Sequence, residues 1–306
     1  MHLANWRDAD AGAFTDIWHA QGRRWAERLS WDNSSTWATL EAQRRSGSLP
    51  GLILVDGSRI AAWSFFLIHR GTLQIGAFEA DTAASTSMLL DATLSMGDSE
   101  LAPSGVMLFA FSDAPGLRAA LSRRGFETDS YAYLTCDLPA RPQHPADLDW
   151  DRGLAFQIPA LLARAYDQPT LTRPFARHGL VEEWHEYAGQ LIGSGACGRF
   201  APRLSAARVA SDGTLEGAVI TTVVGPGCVH VAQVAVAPER RGSGLATAML
   251  RDVLAKASAD GFASASLLVG EHNAGARRIY DGLGFKETAR FMSAGRRATA
   301  VAEARA

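Results

Sequence analysis

The sequence predicts an α/β protein in which one order of helices and strands occurs twice. Hydrophobic periodicity assigns two helices, three strands, a helix, a strand, a helix and a last strand to residues 1–138, and the same order can be followed in 151–306. The spacer 139–150 contains three prolines, which is typical of a semi-rigid linker. A chain of 306 residues also has room for two domains. We therefore expect two domains with these boundaries.

The elements of the first half follow from local signals. Apolar residues from 9 to 29 recur at helical spacing after an Asp-Ala-Asp sequence that can cap a helix. Asp56-Gly57 separates two strand-like runs, which is a strong hairpin signal. The predicted helices are 9–29, 35–45, 85–96 and 114–124, and the further strands are 73–78, 106–111 and 130–136.

The second half begins with the same series. Helices at 156–166 and 182–192 precede strands at 204–210 and 216–224, which flank Asp212-Gly213. A shift of 160 residues aligns 90–94 with 250–254, and it brings 123–126 to within one residue of 282–285. These alignments support an internal repeat, although it is weak.

The segment 231–254 predicts a strand, a glycine loop and a helix. Pro238 cannot continue a strand ladder, and apolar residues from 246 to 254 recur at helical spacing. In the turn between them, Gly242 and Gly244 let the backbone approach a ligand closely, and the first helical turn leaves N–H donors unpaired at the positive end of the helix dipole. These features suit a pyrophosphate; the alternative is a tight turn without a ligand.

Two better-known phosphate motifs are excluded. The P-loop needs four residues between its glycines and a following Gly-Lys-Ser/Thr, and the dinucleotide fingerprint needs a third glycine and a downstream acid. Neither pattern occurs here. The next stretch instead predicts a strand at 265–269, which leads through Asn273 into a helix that carries Tyr280 and ends at Gly284-Phe285.

Together, V-A-V-x-P-x-x-R-G-x-G-x-A, which begins at Val234, and N-x-x-A-x-x-x-Y-x-x-x-G-F, which begins at Asn273, resemble the GNAT family of N-acetyltransferases, which use acyl-coenzyme A. Both motifs occur in the family's order and at its usual separation, and the clear resemblance lies in the last third of the chain. The resemblance implies two tandem GNAT-like domains, each with a mixed, mostly antiparallel central sheet flanked by helices. It also implies acetyl-CoA as the acyl donor and no metal. The tandem arrangement is similar in architecture to that of mycothiol synthase.

The resemblance implies a coenzyme site in the second domain. In the family, the pantetheine arm pairs with the strand that here ends Val234-Ala235-Val236, and a backbone N–H, which would be that of Val236, faces the thioester oxygen. The residues implied to wrap the pyrophosphate are Arg241, Gly242, Ser243, Gly244, Leu245, Ala246 and Thr247, with Arg240 adding charge. Asn273 is implied to bond the pantetheine arm, to cap its helix, or to do both.

Tyr280 occupies the family position of the general acid. A phenol has a pKa near 10, so it can protonate a departing thiolate of comparable pKa, provided that its hydroxyl reaches the sulfur. The alternative is a helical tyrosine that only packs on the sheet.

His230 is the first candidate for the base. It begins the strand of Val234 and Val236, shares their parity, and stands where some family members have a glutamate that takes the proton of the amine through water. Glu271 and His272 are competing candidates, and a buried His230 without a role is a further alternative. A β-bulge on this strand would reverse the parity argument.

The resemblance places the acceptor pocket at the first two helices of the second domain and at the loop between them. That loop contains Tyr166, Asp167, Arg173 and His178. Asp167 can hold an ammonium group and Arg173 a carboxylate, although exposed loop charges usually do neither.

The first half carries an unusual number of tryptophans. Among them are Trp18, Trp25, Trp31, Trp37 and Trp63. Helical spacing predicts that most of them lie in the core, and we expect one or two to face a cleft between the domains.

The first copy lacks the features of a coenzyme site. Asp81-Thr82-Ala83-Ala84 replaces the glycine loop, so an acid and two Cβ atoms stand where the second copy has a basic residue and glycines. Leu121 stands roughly at the position of Tyr280, and no asparagine replaces Asn273. We therefore expect a degenerate first domain that is structural or shapes the substrate site. The alternative is a second coenzyme site of unusual design.

Composition limits the remaining classes. A formal net charge of −2 argues against broad nucleic-acid binding. Cys136, Cys197 and Cys228 match no zinc or disulfide spacing, which indicates a reducing compartment. The N-terminus lacks the apolar core of a signal peptide and no apolar run is long enough to span a membrane, so we expect a cytoplasmic protein without a membrane partner.

The leading hypothesis is an enzyme that acetylates the primary amine of a small molecule with acetyl-CoA, by direct attack in a ternary complex in the second domain. Two alternatives stay open: a non-catalytic acyl-CoA sensor or scaffold, which Tyr280 disfavours, and a protein-lysine acetyltransferase, for which an open groove is expected. Either a monomer or a homodimer is compatible with the sequence.

Overall fold

A computed structural model of the chain describes residues 1–96, 102–139, 150, 152–166, 168–194 and 197–297. The spacer 139–150 predicted as a linker therefore lies almost entirely outside the described residues.

The predicted elements of the first half are confirmed, and one short strand is added. The helices are α1 Ala11–Leu29, α2 Ser34–Ser46, α3 Ala83–Ser95 and α4 Leu117–Ser122. The strands are β1 His2–Asn5, β2 Gly51–Asp56, β3 Arg59–His69, β4 Thr72–Ala80, β5 Gly105–Phe111 and β6 Glu127–Asp137. The added strand is β1, which has only four residues and is mostly exposed, so it has little hydrophobic pattern.

The second half has a matching set of elements. The helices are α5 Ile158–Ala165, α6 Val181–Gly189, α7 Leu245–Ala259 and α8 Ala274–Gly282, and a π-helical turn, Gln190–Ser194, extends α6. The strands are β7 Arg199–Phe200, β8 Ala206–Val209, β9 Leu215–Gly225, β10 Cys228–Val236, β11 Ser264–Gly270 and β12 Lys286–Arg296. Among these, β7 was not predicted, and β12 corresponds to the last strand of the repeated order, for which no bounds were predicted.

All twelve strands form one sheet. Its order is β1-β2-β3-β4-β5-β12-β6-β11-β10-β9-β7, with β8 also paired to β9. Within the described part of the chain, β4–β5 and β10–β11 are the parallel pairs and the other pairs are antiparallel. The fold is thus the mixed, mostly antiparallel α/β architecture that the sequence predicts.

The two halves exchange their last strands at the centre of the sheet. Strand β12 of the second half lies between β5 and β6, and β6 of the first half lies between β12 and β11. Each half therefore completes the sheet of the other, and the two copies share a continuous layer of strands.

Helices cover both faces of this sheet. On one face, α3 and α4 pack on the core around Leu89 and Leu108, and α7 and α8 pack on the core around Leu250 and Leu267. On the other face, α1 and α2 cover a tryptophan-rich core, and α5 and α6 cover a core that includes Trp184. No helix in the described ranges is long and apolar enough to cross a membrane.

Candidate active site

Strands β10 and β11 part where the family resemblance places the thioester. Their parallel pairing runs from Cys228–Ser264 to Val231–Leu267 and then stops, although both strands continue. The N–H of Ala237 bonds Glu216 O at 2.8 Å on the β9 side. Because bonded positions alternate along an antiparallel ladder, the N–H groups of Val234 and Val236 point to the opposite side, into the opening. A ligand in the opening can pair with this free strand edge.

A β-bulge at Ala232 overturns the parity argument for His230. The β9 register shifts between Val231 and Gln233. Val231 and Val234 therefore face the α7 and α8 core, whereas His230 lies on the other face, with Gln233. The expectation that His230 shares the face of Val234 and Val236 was wrong, because an extra residue in a strand moves every later side chain to the opposite face.

The glycine loop has the open geometry of an anion site. Gly242 and Gly244 have φ values of 75° and 80°, which L side chains rarely adopt, and no atom lies within 4 Å of an added Cβ at either position. Gly244 is the N-cap of α7 and no described side chain bonds there. The backbone N–H groups of 245–247, predicted as pyrophosphate ligands, consequently remain available at the positive end of the helix.

The polar side chains of this loop have protein partners. Ser243 Oγ donates to Arg240 O at 2.7 Å, Arg241 donates to Ala165 O at 2.8 Å, and Arg240 lies 3.5 Å from Glu216. These contacts fix the loop against α5 and β9. The main chain, more than the two arginines, therefore offers free donors to an anion.

A groove of about 400 Å³ continues from this loop between α7 and α8. Thr247 and Arg251 line it on α7, and Gly275, Arg278 and Gly282 line it on α8. This groove was not predicted from the sequence. The signal was available, because helical spacing places each set of lining residues on one helix face. The two sets are Thr247 and Arg251 on α7, and Gly275, Arg278 and Gly282 on α8. Two guanidinium groups on a groove next to free N–H donors suit a ligand with several phosphates.

Tyr280 lies on α8 and belongs to the same apolar core as Val234 and Val236 of β10. Its side chain is only 8% exposed and packs edge-on against Phe285, with ring centroids 5.9 Å apart. Burial raises the pKa of its phenol, and the nearby Tyr166 adds to this effect. Tyr280 therefore keeps its proton at neutral pH. Asn273 caps α8 by accepting from Ala276 N–H at 3.1 Å, which confirms one of its two predicted roles.

A hydrogen-bonded network of two tyrosines and a glutamine connects β10 to α5 and α6, the helices at which the sequence predicted the acceptor pocket. Gln233 Nε2 donates to Tyr166 Oη at 2.7 Å, and Tyr187 Oη donates to Gln233 Oε1 at 2.8 Å. Phe175 stacks on Tyr187 with ring centroids 4.3 Å apart. Tyr166 was predicted from the sequence but Gln233 was not, because the bulge that turns this side chain toward the loop has no clear sequence signal.

The other predicted acceptor residues are held by the protein. Arg173 is 5% exposed and donates to Phe175 O at 3.0 Å, to Gln168 O at 2.9 Å and to Ala176 O. His178 lies 2.7 Å from Glu183. Arg173 thus fastens its own loop and has little capacity for a carboxylate. Asp167 lies outside the described residues.

The competing base candidates also have partners. His272 Nδ1 lies 3.2 Å from Asp129, and Glu271 lies 3.3 Å from Arg290. Asp129 belongs to β6 of the first half, so the exchanged strand brings an acid of the first domain to the end of β11.

His230 is 5% exposed and has no charged partner among the residues that the structure describes. Its Nδ1 lies 3.0 Å from Ser266 Oγ, and its ring stacks on Tyr133 with centroids 5.7 Å apart. Burial lowers the pKa of His230 to about 4. The imidazole is therefore neutral at pH 7 and is a weak base.

Replacing His230 with glutamine should reduce the loss of unfolding free energy that occurs when the pH is lowered. Between pH 6.5 and 4 the unfolded chain binds a proton at this histidine that the folded chain does not bind. The wild-type free energy of unfolding should therefore fall as the pH falls, and this one group should contribute at most roughly 3 kcal/mol. Urea unfolding at pH 7 and pH 4.5 measures the difference.

The matched control for this measurement is His19→Gln, since His19 is exposed on α1. The control should follow the wild-type pH dependence. If His230→Gln also follows it, the buried neutral state assigned to His230 is wrong.

The corresponding loop of the first half is closed by its own side chains. Thr82 Oγ1 accepts from Ser85 N–H at 3.1 Å and Ser85 Oγ accepts from Thr82 N–H at 3.0 Å, so a capping box satisfies the start of α3. Asp81 pairs with Arg59. A Cβ added at Gly116 would lie 2.8 Å from the Cβ of Ala83, so the starts of α3 and α4 pack closely.

The opening between β4 and β5 is also closed. Their parallel pairing stops at Ile75–Leu108, as in the second half. Arg24 of α1 then bridges the gap, because its guanidinium bonds Glu79 at 2.7 Å and Asp113 at 2.6 Å. These contacts distinguish the first-half opening from that of the second half, where no such bridge or cap is present among the described residues.

The sheet with its opening and the uncapped, glycine-opened helix start are compatible with acyl transfer. Residues 157–285 match the model of the Acetyltransferase (GNAT) family, so the second half contains a GNAT domain, and this match supports an N-acetyltransferase. The matched residues contain the glycine loop, the α7–α8 groove and Tyr280. No curated protein sequence matches the chain significantly.

Solved structures of low identity share the fold. The chain is similar to a GCN5-related N-acetyltransferase from Sphaerobacter thermophilus, with 18% identity, 81% of this chain and 80% of that chain covered, and a TM-score of 0.58. It is similar to an acetyltransferase of the GNAT family from Colwellia psychrerythraea, with 11% identity, 96% and 99% covered, and a TM-score of 0.52. A glucosamine N-acetyltransferase region of a fungal multi-domain enzyme gives 12% identity, 96% and 38% covered, and a TM-score of 0.61.

Proposed function

We propose that the second half transfers the acetyl group of acetyl-CoA to the primary amine of a small molecule, by direct attack in a ternary complex. The observation that carries this proposal is the contrast between the two helix starts: the start of α7 is uncapped behind two glycines, whereas Thr82 and Ser85 cap the start of α3. An uncapped, glycine-opened helix start is suited to the pyrophosphate of the coenzyme.

The residues around this loop fit the rest of such a ligand. Arg251 and Arg278 flank the groove that continues from the loop, where they can pair with further phosphates of the coenzyme. The free strand edge at Val234 and Val236 can pair with the amide groups of a pantetheine arm. The acyl donor then supplies an activated carbonyl at the opening between β10 and β11.

Two groups of the chain assist the transfer. The N–H of Val236 can donate to the thioester oxygen and stabilise the negative charge that develops there. Tyr280 can give its proton to the sulfur as the carbon–sulfur bond breaks and the new carbon–nitrogen bond forms. The buried, protonated phenol fits this role, since the acid must still carry its proton at neutral pH.

The three base candidates differ in their partners: Glu271 pairs with Arg290, His272 pairs through Nδ1 with the carboxylate of Asp129, and His230 is neutral and weakly basic. The Asp129 pair does not exclude His272, since a carboxylate on Nδ1 orients an imidazole whose Nε2 stays available. An acceptor that binds as a neutral amine loses one proton after its nitrogen attacks the thioester carbon. Water can take this proton, so the reaction needs no stronger base. The sensor hypothesis predicts coenzyme binding without thiol release, so a thiol-release assay with amines separates it from the enzyme.

Titration of the wild-type chain with acetyl-CoA should give one tight site per chain. The reason is that the first-half loop is capped by Thr82 and Ser85 and the gap beside it is bridged by Arg24. Isothermal titration calorimetry measures the stoichiometry. Two equivalent sites would contradict the structural role assigned to the first half.

A further inference from the structure

A cavity of about 740 Å³ lies at the centre of the sheet, between the two halves. Its floor is formed by side chains of β5, β12, β6, β11 and β10, and therefore by the exchanged strands of both halves. The segment that joins α1 to α2 and the π-helical turn after α6 form its walls. We call it the central cavity.

The floor of the central cavity is aromatic. Phe109 and Phe291 stack with ring centroids 5.3 Å apart, and Tyr133 lies 6.2 Å from Phe291. Such a surface favours flat apolar groups, which can stack on the rings.

Trp25 and Trp31 stand on the wall of the central cavity, edge to face at 5.6 Å. Trp18 and Trp37 line a second cavity between the two halves, so more tryptophans face a cleft than the one or two predicted.

The charged groups that line the central cavity stand at its rim. Among its described lining residues these are Asp32 and Arg199, and both are exposed. Asp32 already accepts from Ser34 N–H at 3.0 Å. On the floor, the hydroxyl of Tyr133 is engaged with Leu29 O at 3.0 Å and with Ser266 Oγ at 2.8 Å. The interior thus has no charged partner for an anion among its described lining residues, and the uncharged polar side chains Asn33, Ser35 and Thr36 lie on the wall at the junction of α1 and α2.

The central cavity reaches the place where β10 and β11 part. Leu268 lines it and directly follows Leu267, the last β11 residue paired with β10. His230 also lines it, and its Nδ1 is bonded to Ser266, while its Nε2 has no hydrogen-bond partner among the described residues and is not enclosed by them. The free nitrogen of a buried, neutral imidazole can accept a hydrogen bond from an uncharged amine.

We infer that the central cavity is the acceptor site and that it takes a primary amine on a flat aromatic body, oriented by His230 Nε2. This inference rests on the proposed function. The aromatic body stacks against Trp31 and Phe291, and the amine points to the opening at Leu268. In this arrangement the first half contributes directly to acceptor recognition, although it holds no coenzyme. His230 is a positioning residue here and does not need to take a full proton.

The test uses 2-phenylethylamine as the probe and D-glucosamine as its polar counterpart. With the full-length chain and acetyl-CoA, thiol release should show a KM for 2-phenylethylamine at least about tenfold below that for D-glucosamine. Trp31→Ala should raise the KM for 2-phenylethylamine by about tenfold, because it removes a stacking wall, and should leave kcat within about twofold. Trp31→Phe, which keeps a ring, should restore most of the affinity.

Trp63→Phe is the matched control for Trp31→Phe, since Trp63 lies in the core under α1 and α2 and does not line the central cavity. It should leave the KM for the amine unchanged. A preference for D-glucosamine, or equal KM values for wild type and Trp31→Ala, would overturn the inference.

Binding without the coenzyme separates this inference from the proposed function. 2-Phenylethylamine should change the tryptophan fluorescence of the wild-type chain, and this change should be weaker in Trp31→Phe and Trp31→Ala. If the amine binds in this way but acetyl-CoA does not bind, the proposed function fails and the cavity assignment stands. If acetyl-CoA binds and no amine changes the fluorescence, the cavity assignment fails alone.

Discussion

Replacing Gly244 with tryptophan should weaken acetyl-CoA binding by roughly 100-fold, since a pyrophosphate would lose about two charge-assisted hydrogen bonds from the α7 start. The glycine has a φ of 80° and no atom stands within 4 Å of an added Cβ, so the indole would occupy the space in front of the helix N–H groups. Calorimetry on the wild type and the variant measures this change. When the amine is saturating and acetyl-CoA is limiting, the rate of thiol release in an acid-quenched assay should fall by a similar factor.

Gly57→Trp provides the matched control. Gly57 also has a positive φ, at 62°, and open surroundings, but it lies in the β2–β3 turn of the first half. Both variants carry a similar backbone cost of about 1–2 kcal/mol, so a general loss of stability would appear in both melting curves. Unchanged coenzyme affinity in Gly244→Trp, at wild-type or reduced stability, would exclude the glycine loop as the phosphate site.

The loop could be predicted from the sequence because its signal is local. Glycines at positive φ, a proline that ends a strand and a helical period all lie within 231–254, and each acts on its neighbours in the chain. The same holds for the capping role of Asn273. The α7–α8 groove could have been found in the same way, from the helical spacing of Arg251 and its partners on α8.

The exchange of β6 and β12 could not be predicted in this way. Alternating hydrophobicity determines which side chains of a strand face each core, but it does not determine which strand is the neighbour. The bulge at Ala232 is a similar case, because one unpaired residue in a run of β-branched and small side chains has no compositional mark. It reversed the face assigned to His230 and placed Gln233 against Tyr166.

These two non-local features give the first half its role. The exchanged β6 brings Tyr133 to the floor of the central cavity and Asp129 to the end of β11. The Arg24 bridge and the Thr82 cap lie at the positions that correspond to the opening and the glycine loop of the second half. Because β6 lies between β12 and β11, the sheet of the second half depends on a strand of the first half.

Changing Tyr280 to phenylalanine should lower kcat by roughly 100-fold, the lower end of the range for a lost general acid. The coenzyme affinity should change little, because the variant removes only the hydroxyl and Tyr280 makes no hydrogen bond to the described residues that its loss would break. The ring keeps its edge-on contact with Phe285. Steady-state thiol release at saturating substrates measures kcat, and calorimetry with acetyl-CoA measures the affinity.

A comparison of acyl donors with different leaving thiols makes the Tyr280 test specific. If Tyr280 protonates the sulfur, the rate of the phenylalanine variant should depend more steeply on the pKa of the leaving thiol than the wild-type rate, because a poorer leaving group needs the acid more. A merely structural tyrosine would give equal slopes. Tyr166→Phe serves as the matched variant, since Tyr166 is a neighbouring buried phenol whose hydroxyl is bonded to Gln233 at 2.7 Å. An unchanged kcat in Tyr280→Phe, or equal slopes, would place the source of the proton elsewhere, and water at the opening would then be the donor to test.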